Sequence, residues 1–271
     1  MKTKFRILFL LTVISFASCE NMFDYSTYVI DFDSENRNVN QTNLEKLLKK
    51  NTDDTISIAF TGDTHRFYDE FKGFVDAVNR ENEIAPIDFV IHVGDIADFG
   101  LPQQYIWANS YLLDLDCPYF VGLGNHDLVG NGALAYSEMF GEYNFSFVYK
   151  QIKFIFINTN SREFGFNGNV PDISWLDAQL YPESNFSNAV VIFHVPPMDA
   201  DFDSDLEESF HTTLSKYNNV ICTVHGHLHG HEIYKPYADS ITYVNVYSAE
   251  LQKFNVLKIA NGKFKVETFG F

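Results

Sequence analysis

The chain has few of the residues that would indicate a disulfide-stabilised or nucleic-acid-binding protein. It contains three cysteines, and its 19 basic residues face 36 acidic ones, for a formal net charge of −17. Such a chain has no electrostatic attraction for nucleic acid or anionic lipid. Cys117 precedes a proline and Cys222 lies in an apolar run, which favours free buried thiols over a disulfide. Because internal repeats and low-complexity linkers are also lacking, 271 residues suit one large domain or two small ones.

The apolar run near the N-terminus is too short to cross a membrane as a mature helix. It extends over about ten residues, Ile7–Phe16, and follows three basic residues. This pattern predicts an export signal over residues 1–18. The signal ends in small residues before Cys19, which resembles the lipobox of bacterial lipoproteins. That resemblance implies an exported protein, lipid-anchored through Cys19 on the periplasmic or cell-surface face of a bacterial membrane, with an ordinary secretory signal as the alternative.

Residues 19–50 are predicted to form a tether and an accessory helix, ahead of a domain at residues 51–271. Thr42–Glu45 has the spacing of a capping box at the start of that helix. Within the domain, apolar periodicity then predicts an alternation of strands and helices. Its strands are predicted at 55–60, 87–93 and 118–123, and its helices at 68–81 and 101–115. This order implies a parallel sheet with crossover helices.

The second half of the chain shows a different order of elements. Two strands joined by a short turn, at 145–149 and 153–158, predict a hairpin. The remaining elements are predicted as helices at 172–181 and 205–217 and strands at 189–193, 220–224, 231–236, 241–247, 253–259 and 263–269. The whole predicts an α/β fold with a two-layered β core flanked by helices.

Polar segments with metal-type side chains follow five of these strands. They are Gly62-Asp63-Thr64-His65, Gly94-Asp95-Ile96-Ala97-Asp98, Gly124-Asn125-His126-Asp127, His194 and Gly226-His227-Leu228-His229. In open α/β sheets, ligands bind beyond the carboxyl ends of the strands, so we expect these residues to meet at one rim.

The ligand inventory indicates the type of site. Two aspartates, one asparagine and four histidines make seven ligand candidates, more than the three or four that one tetrahedral zinc needs. Carboxylate, imidazole and amide ligands suit two divalent ions such as Mn, Fe or Zn that share one carboxylate. Two such ions can hold a bridging hydroxide and clamp a phosphoryl group. One histidine of these segments is then left over for proton transfer.

These segments, in this order, resemble the motifs of the calcineurin-like metallophosphoesterase superfamily over roughly residues 55–232. The resemblance implies a four-layer α/β/β/α fold, in which two packed mixed β-sheets are flanked by helices. Phe99 stands where the protein Ser/Thr phosphatase branch has an arginine. The chain is therefore more similar to the smaller class III cyclic-nucleotide-phosphodiesterase-like and acid-phosphatase-like members.

The resemblance also implies a role for each motif residue. Asp63, His65 and His229 would bind the first ion, Asn125, His194 and His227 the second, and Asp95 would bridge both. A metal-bridging hydroxide would attack a phosphate mono- or diester, and His126 would protonate the leaving group. Asp127 would orient His126, and Asp98 would hold the loop or a histidine.

Several other residues allow two interpretations. Arg66 and Arg162 are candidates for contact with substrate phosphate, because a guanidinium pairs with it bidentately, or they are plain surface residues. His225 and His231, which flank the last motif, are expected to be bystanders. The acidic stretch Asp199–Glu208 is interpreted as a solvated helix start, although it could repel anions near the site.

Two other functions remain open beside a phosphoesterase that acts on a small-molecule ester. One is a non-catalytic surface lipoprotein that binds metal as a structural element. The presence of His126 and Asp127 argues against it, because neither residue would have a role in such a protein. The other is a metal-dependent hydrolase of a different bond.

Overall fold

The computed structural model describes residues 26–50, 55–237 and 241–271. The predicted signal and Cys19 lie outside these ranges. None of the helices within them is long and apolar enough to cross a membrane. The α-helices of the described part are α1 Val39–Leu47, α2 Tyr68–Ile84, α3 Pro102–Leu112, α4 Gly132–Phe140, α5 Ile173–Leu180 and α6 Glu207–Ser215. Its strands are β1 Ile56–Thr61, β2 Phe89–His92, β3 Tyr119–Val121, β4 Phe145–Tyr149, β5 Ile152–Phe156, β6 Asn188–Ile192, β7 Val220–His225, β8 Glu232–Tyr234, β9 Tyr243–Asn245, β10 Lys253–Ala260 and β11 Lys263–Gly270.

The strands form two mixed sheets. The first has the order β11-β10-β1-β2-β3, in which β1, β2 and β3 are parallel and β10 is antiparallel to β1. The second has the order β4-β5-β6-β7-β9-β8, with β5, β6, β7 and β9 parallel and an antiparallel strand at each edge. The predicted α/β fold with two packed mixed sheets and flanking helices is confirmed.

Large aromatic side chains fill the space between the two sheets. Phe89 of β2 contacts Phe154 of β5 edge to face, with ring centroids 5.1 Å apart. Phe120 of β3 stacks on Phe147 of β4 at 4.3 Å. Such geometries are the favourable ones for aromatic pairs, and they add to the gain from burying apolar area. β1, β2 and β3 of the first sheet are therefore buried on both faces, since α2 and α3 cover the other side.

Helix α1 begins earlier than its sequence pattern predicts. Its first residue is Val39, and Asn38 precedes it in a left-handed conformation (φ 50°). The capping box at Thr42–Glu45 is therefore wrong, because these residues lie inside the helix. Asn40 of the same helix donates a hydrogen bond to the Val121 carbonyl (3.0 Å) and accepts one from the Val121 amide (2.9 Å). Helix α1 thus satisfies backbone groups that would otherwise be unpaired at the β3 edge.

Helix α4 was not predicted. It carries four buried apolar residues, Ala135, Tyr136, Met139 and Phe140, at the spacing of one helical face. The Tyr136 hydroxyl donates to the same Val121 carbonyl at 2.7 Å. The helix therefore packs against the β3 end of the first sheet, close to the segment that follows β3.

Replacing Asn40 by alanine would leave the Val121 amide without its side-chain acceptor and remove one of the two donors to its carbonyl. A buried backbone group that loses its partner costs about 1–3 kcal/mol, so we expect the free energy of unfolding of Asn40→Ala to fall by about that amount. Chemical denaturation measures the change. Gln41→Ala, an exposed neighbour on the same helix, is the matched control and should unfold like the wild type. Equal stability of the two variants would contradict the role of Asn40.

Candidate metal centre

The candidate ligands lie where the carboxyl ends of the two sheets meet. Asp63, Asp95 and Asn125 follow β1, β2 and β3 of the first sheet. His194 follows β6 of the second sheet, and His227 and His229 follow β7. Gly62 also pairs with Ser248 through an isolated β-bridge, which draws the end of β1 toward the segment after β9. The carboxyl ends of β1, β2 and β3 in one sheet and of β6 and β7 in the other therefore meet at the candidate centre.

Two glycines allow the segments of the first sheet to approach this closely. A Cβ on Gly124 would lie 2.1 Å from the Asp95 amide nitrogen. A Cβ on Gly94, whose φ is +115°, would lie 2.7 Å from the Gly124 nitrogen and 2.8 Å from His194 Nδ1. No side chain fits at either position, so glycine is required by contact at both and by backbone conformation at Gly94.

The Asp95 carboxylate lies between two imidazoles. Its Oδ2 is 3.2 Å from His194 Nε2 and 3.6 Å from His65 Nδ1. The Asp63 carboxylate is nearby, with its Oδ1 3.5 Å from His229 Nε2 and 3.8 Å from His194 Nε2. One oxygen of Asp95 is thus close to a predicted ligand of each ion.

Burial sets the charge state of these groups. It raises the pKa of Asp63 to about 6 and lowers that of His65 to about 4, because a charged form is costly to desolvate. Burial would also lower the pKa of His194, but the carboxylates around it, Asp95 first and then Asp63, together outweigh burial and raise that pKa to about 9. The carboxylates of Asp63 and Asp95 are buried side by side, so their negative charge must be balanced by positive charge nearby.

The hydrogen bonds of His194 and His65 indicate a cation as the source of that charge. His194 Nδ1 lies 3.1 Å from the Val93 carbonyl, to which it donates, so Nε2 is the nitrogen that faces the two carboxylates, and it carries a proton there unless a cation takes the proton's place. Within the described residues, His194 Nε2 and both ring nitrogens of His65 have no hydrogen-bond partner. Orphaned buried nitrogens beside carboxylate oxygens fit divalent ions such as Mn, Fe or Zn.

Asn125 and His227 extend the same centre. His227 Nδ1 lies 3.2 Å from Asn125 Oδ1, and the His227 amide donates to both carboxylate oxygens of Asp63 at 3.2 Å. Metal-type groups cluster at three points among the described residues: His65 with Asp95 and His126, Asp63 with Asp95 and His194, and Asp199 with Asp201 and His227. All seven predicted ligands lie in this region, and their assignment to particular ions stays a prediction.

The predicted role of Asp127 as the residue that orients His126 is wrong. The Asp127 carboxylate is buried and accepts hydrogen bonds from four backbone amides, those of Asp95, Ile96, Ala97 and Gly124. His126 instead contacts Asp98: its Nδ1 lies 3.0 Å from the Asp98 carbonyl and 3.3 Å from its carboxylate. Asp98 therefore orients the imidazole, and Asp127 holds the loop that carries Asp95.

Both candidate phosphate-binding arginines already face a carboxylate. Arg66 Nη2 is 3.5 Å from Asp98 Oδ1, and Arg162 forms an ion pair with Asp201. More than half of each arginine side chain is exposed. Contact of either with substrate stays a prediction.

Asp199 and Asp201 belong to the region of the centre and were missed. His227 Nε2 lies 3.3 Å from Asp199 Oδ1 and 3.8 Å from Asp201 Oδ2. The interpretation of Asp199–Glu208 as a solvated helix start is wrong for these two residues, because Asp201 is buried and the helix begins only at Glu207. Their alternate spacing, soon after the predicted ligand His194, was the available signal.

The two flanking histidines have structural contacts. His225 is buried, with Nδ1 2.9 Å from the Gly226 carbonyl and Nε2 2.9 Å from the Tyr234 hydroxyl. His231 Nδ1 lies 2.7 Å from the Asn245 carbonyl. Each ring contributes to the packing of the β7–β9 region, as expected for residues outside the ligand set.

Known proteins are similar to this chain in sequence. A sequence model described as calcineurin-like phosphoesterase matches residues 56–231. The chain belongs to this family. It is 27% identical over 177 residues to a probable glycerophosphodiester phosphodiesterase of Arcobacter nitrofigilis, an alignment that covers 59% of this chain and 64% of that protein. It is 24% identical over 200 residues to a 3′,5′-cyclic-nucleotide phosphodiesterase of Nostoc sp., covering 64% of this chain and 71% of that protein. The matched part of the chain thus spans about two thirds of the length of these two relatives.

Solved structures show the same fold. A dimetal phosphatase from Danio rerio superposes with a TM-score of 0.63 at 13% sequence identity, covering 79% of this chain and 96% of that chain. At this identity the likeness establishes the architecture, which agrees with the two-sheet arrangement described above.

Alanine at Asp127 and at Asp98 should have different consequences. Asp127→Ala would leave four backbone amides without their acceptor, so we expect the free energy of unfolding to fall by at least about 3 kcal/mol. Asp98→Ala would remove a partly exposed carboxylate and should keep the stability within about 1 kcal/mol of the wild type. Thermal or chemical denaturation separates the two. A stable Asp127→Ala protein would contradict the structural role of that carboxylate.

Proposed function

We propose that the protein is a metal-dependent phosphoesterase that hydrolyses a phosphate mono- or diester at a dinuclear centre. The observation that supports it most is the position of Asp95 Oδ2, which lies 3.2 Å from His194 and 3.6 Å from His65. A carboxylate oxygen placed between imidazoles suits a bridge between two ions. Family membership supports phosphate esters as the substrate class.

The residues divide into two sets around Asp95. The first ion would be held by Asp63, His65, Asp95 and His229, and the second by Asp95, Asn125, His194 and His227. Mn, Fe or Zn suits ligands of these types. When bound, two such ions supply the charge that polarises a phosphate ester and activates water for attack.

His126 is the residue that would transfer a proton to the leaving group. Its Nδ1 is directed at the Asp98 carbonyl and carboxylate, which leaves Nε2 as the nitrogen that can exchange a proton with a ligand. About a third (34%) of its side chain is exposed, so a ligand can reach the ring. Its ring stacks on that of His65 with centroids 4.4 Å apart, which places it beside the predicted first ion.

Phosphodiesters are the substrates that the curated relatives favour. Both relatives described above are named as phosphodiesterases, one for glycerophosphodiesters and one for cyclic nucleotides. We extend that class to this chain as part of the proposal and keep phosphomonoesters as the second class. The lipid anchor at Cys19 rests on the N-terminal sequence pattern and is likewise a proposal.

The substrate class is tested directly with chromogenic phosphomonoesters and phosphodiesters. Protein reconstituted with Mn²⁺ should hydrolyse at least one of them, and it should hydrolyse the diester faster, as the names of the relatives indicate. Removal of the ions by a chelator should abolish turnover, and addition of Mn²⁺ should restore it. Metal binding without turnover of any phosphate ester would favour the non-catalytic lipoprotein, and turnover of an amide or carboxyl ester alone would favour a different hydrolase.

Two substitutions test the division between metal binding and proton transfer. His126→Ala should keep both ions, because this residue is not in the proposed ligand set, and should reduce turnover by about 10²–10⁴-fold, as loss of a general acid does. Asp95→Asn should lower the number of bound ions, since it weakens the shared ligand. Elemental analysis beside steady-state kinetics distinguishes the two variants. The reverse pattern would mean that the roles are assigned wrongly.

A further inference from the structure

The imidazole of His227 has hydrogen-bond acceptors on both sides. Its Nδ1 lies 3.2 Å from Asn125 Oδ1. Its Nε2 lies 3.3 Å from Asp199 Oδ1 and 3.8 Å from Asp201 Oδ2. A neutral imidazole carries one N–H and one lone pair, so one ring nitrogen must face an acceptor without a proton. A cation on that side would resolve the conflict.

The surroundings decide on which side the cation belongs. Arg162 forms an ion pair with the Asp201 carboxylate, and its amide donates to the Asp201 carbonyl at 3.1 Å. Asp201 therefore already has a positive partner. The opposite side of the ring adjoins the candidate centre, because the rings of His194 and His227 are 5.3 Å apart and the residue after Asn125 donates its amide to Asp95 Oδ1 at 2.8 Å. An ion on the Asn125 side would belong to the centre itself.

The backbone of His227 is fixed independently of its ring. Its amide donates to both oxygens of Asp63. The Asp199 carboxylate is fixed as well, because its Oδ1 accepts the Asp201 amide at 2.9 Å. The His227 side chain can therefore change only by rotation of its imidazole, which has Asn125 on one side and Asp199 on the other.

We propose that Asp199 is a positioning residue that accepts the Nε2–H of His227 and so directs the Nδ1 lone pair toward the second ion. The inference rests on the proposed dinuclear site. Metal-binding histidines commonly donate their second ring N–H to a carboxylate, which fixes both tautomer and orientation. Arg162, which pairs with Asp201, then supports the segment that carries Asp199.

The tautomer of His227 can be read without an activity assay. In Zn²⁺-loaded protein, two-bond ¹⁵N–¹H correlation spectra should show the His227 proton on Nε2, with the signal assigned by its loss in His227→Gln. A proton on Nδ1 would overturn the inference, because His227 would then present Nε2 to the ion and have no proton for Asp199.

Metal affinity provides the second readout. Equilibrium dialysis of Asp199→Ala should show one of the two ions bound about 10–100-fold more weakly, the usual effect of removing such a partner. Asp199→Asn keeps an acceptor oxygen for both the His227 ring and the Asp201 amide, so its loss should be smaller and its fold intact. Asp205→Asn removes the same charge from an exposed position nearby and should bind both ions like the wild type.

The outcomes separate this inference from the proposed function. A wild-type chain that binds fewer than two ions would contradict both. A wild-type chain that binds two ions, together with Asp199→Ala protein that binds both with unchanged affinity, would overturn only the role of Asp199. Three ions per wild-type chain, with one of them lost in Asp199→Ala protein, would also overturn it, because that loss would indicate that Asp199 is itself a ligand.

Discussion

The structure around the centre depends on the burial of two carboxylates, Asp63 and Asp95, next to one another. Burying an unpaired charge is so costly that such groups must find opposite charge, and the imidazoles beside them have nitrogens without partners among the described residues. Four residues of the proposed ligand set, Asp63, Asp95, His227 and His229, also have positive φ. Residues in the left-handed region cost about 1–3 kcal/mol each and persist only where their surroundings hold them. Asp127 does so for Asp95 through its four amide hydrogen bonds.

The location and composition of the centre could be predicted from the sequence because strand order and strand ends are local properties. Apolar runs such as Ile87–Val93 identify buried parallel strands, and polar residues directly after them must lie at the same edge of the sheet. The glycines before Asp95 and Asn125 also indicate that the strand ends approach one another closely, because such an approach leaves no room for a side chain. Helices α2 and α3, which cover the first sheet, follow from their apolar periodicity.

The contacts of individual side chains could not be predicted, because they depend on backbone turns that adjacency in sequence does not reveal. Asp127 follows His126 directly, but a short 3₁₀ turn directs the Asp127 carboxylate toward the backbone of the loop that carries Asp95. Asp98, from the same loop, contacts the His126 ring instead. Asp199 and Asp201 lie in an irregular segment before α6, where neither a helix nor a strand fixes the direction of a side chain, so their spacing alone does not reveal the contact with His227. The start of α1 was misplaced because a side-chain capping pattern was read where Asn38 begins the helix through its backbone conformation.

The central claim is that these strand ends hold two ions with Asp95 between them. The most direct measurement is anomalous X-ray scattering from a crystal of the protein soaked in Mn²⁺. The account predicts two peaks on either side of the Asp95 carboxylate, one contacted by His65 and His229 and the other by His194 and His227. A single peak, or peaks that lie away from Asp95, would contradict it.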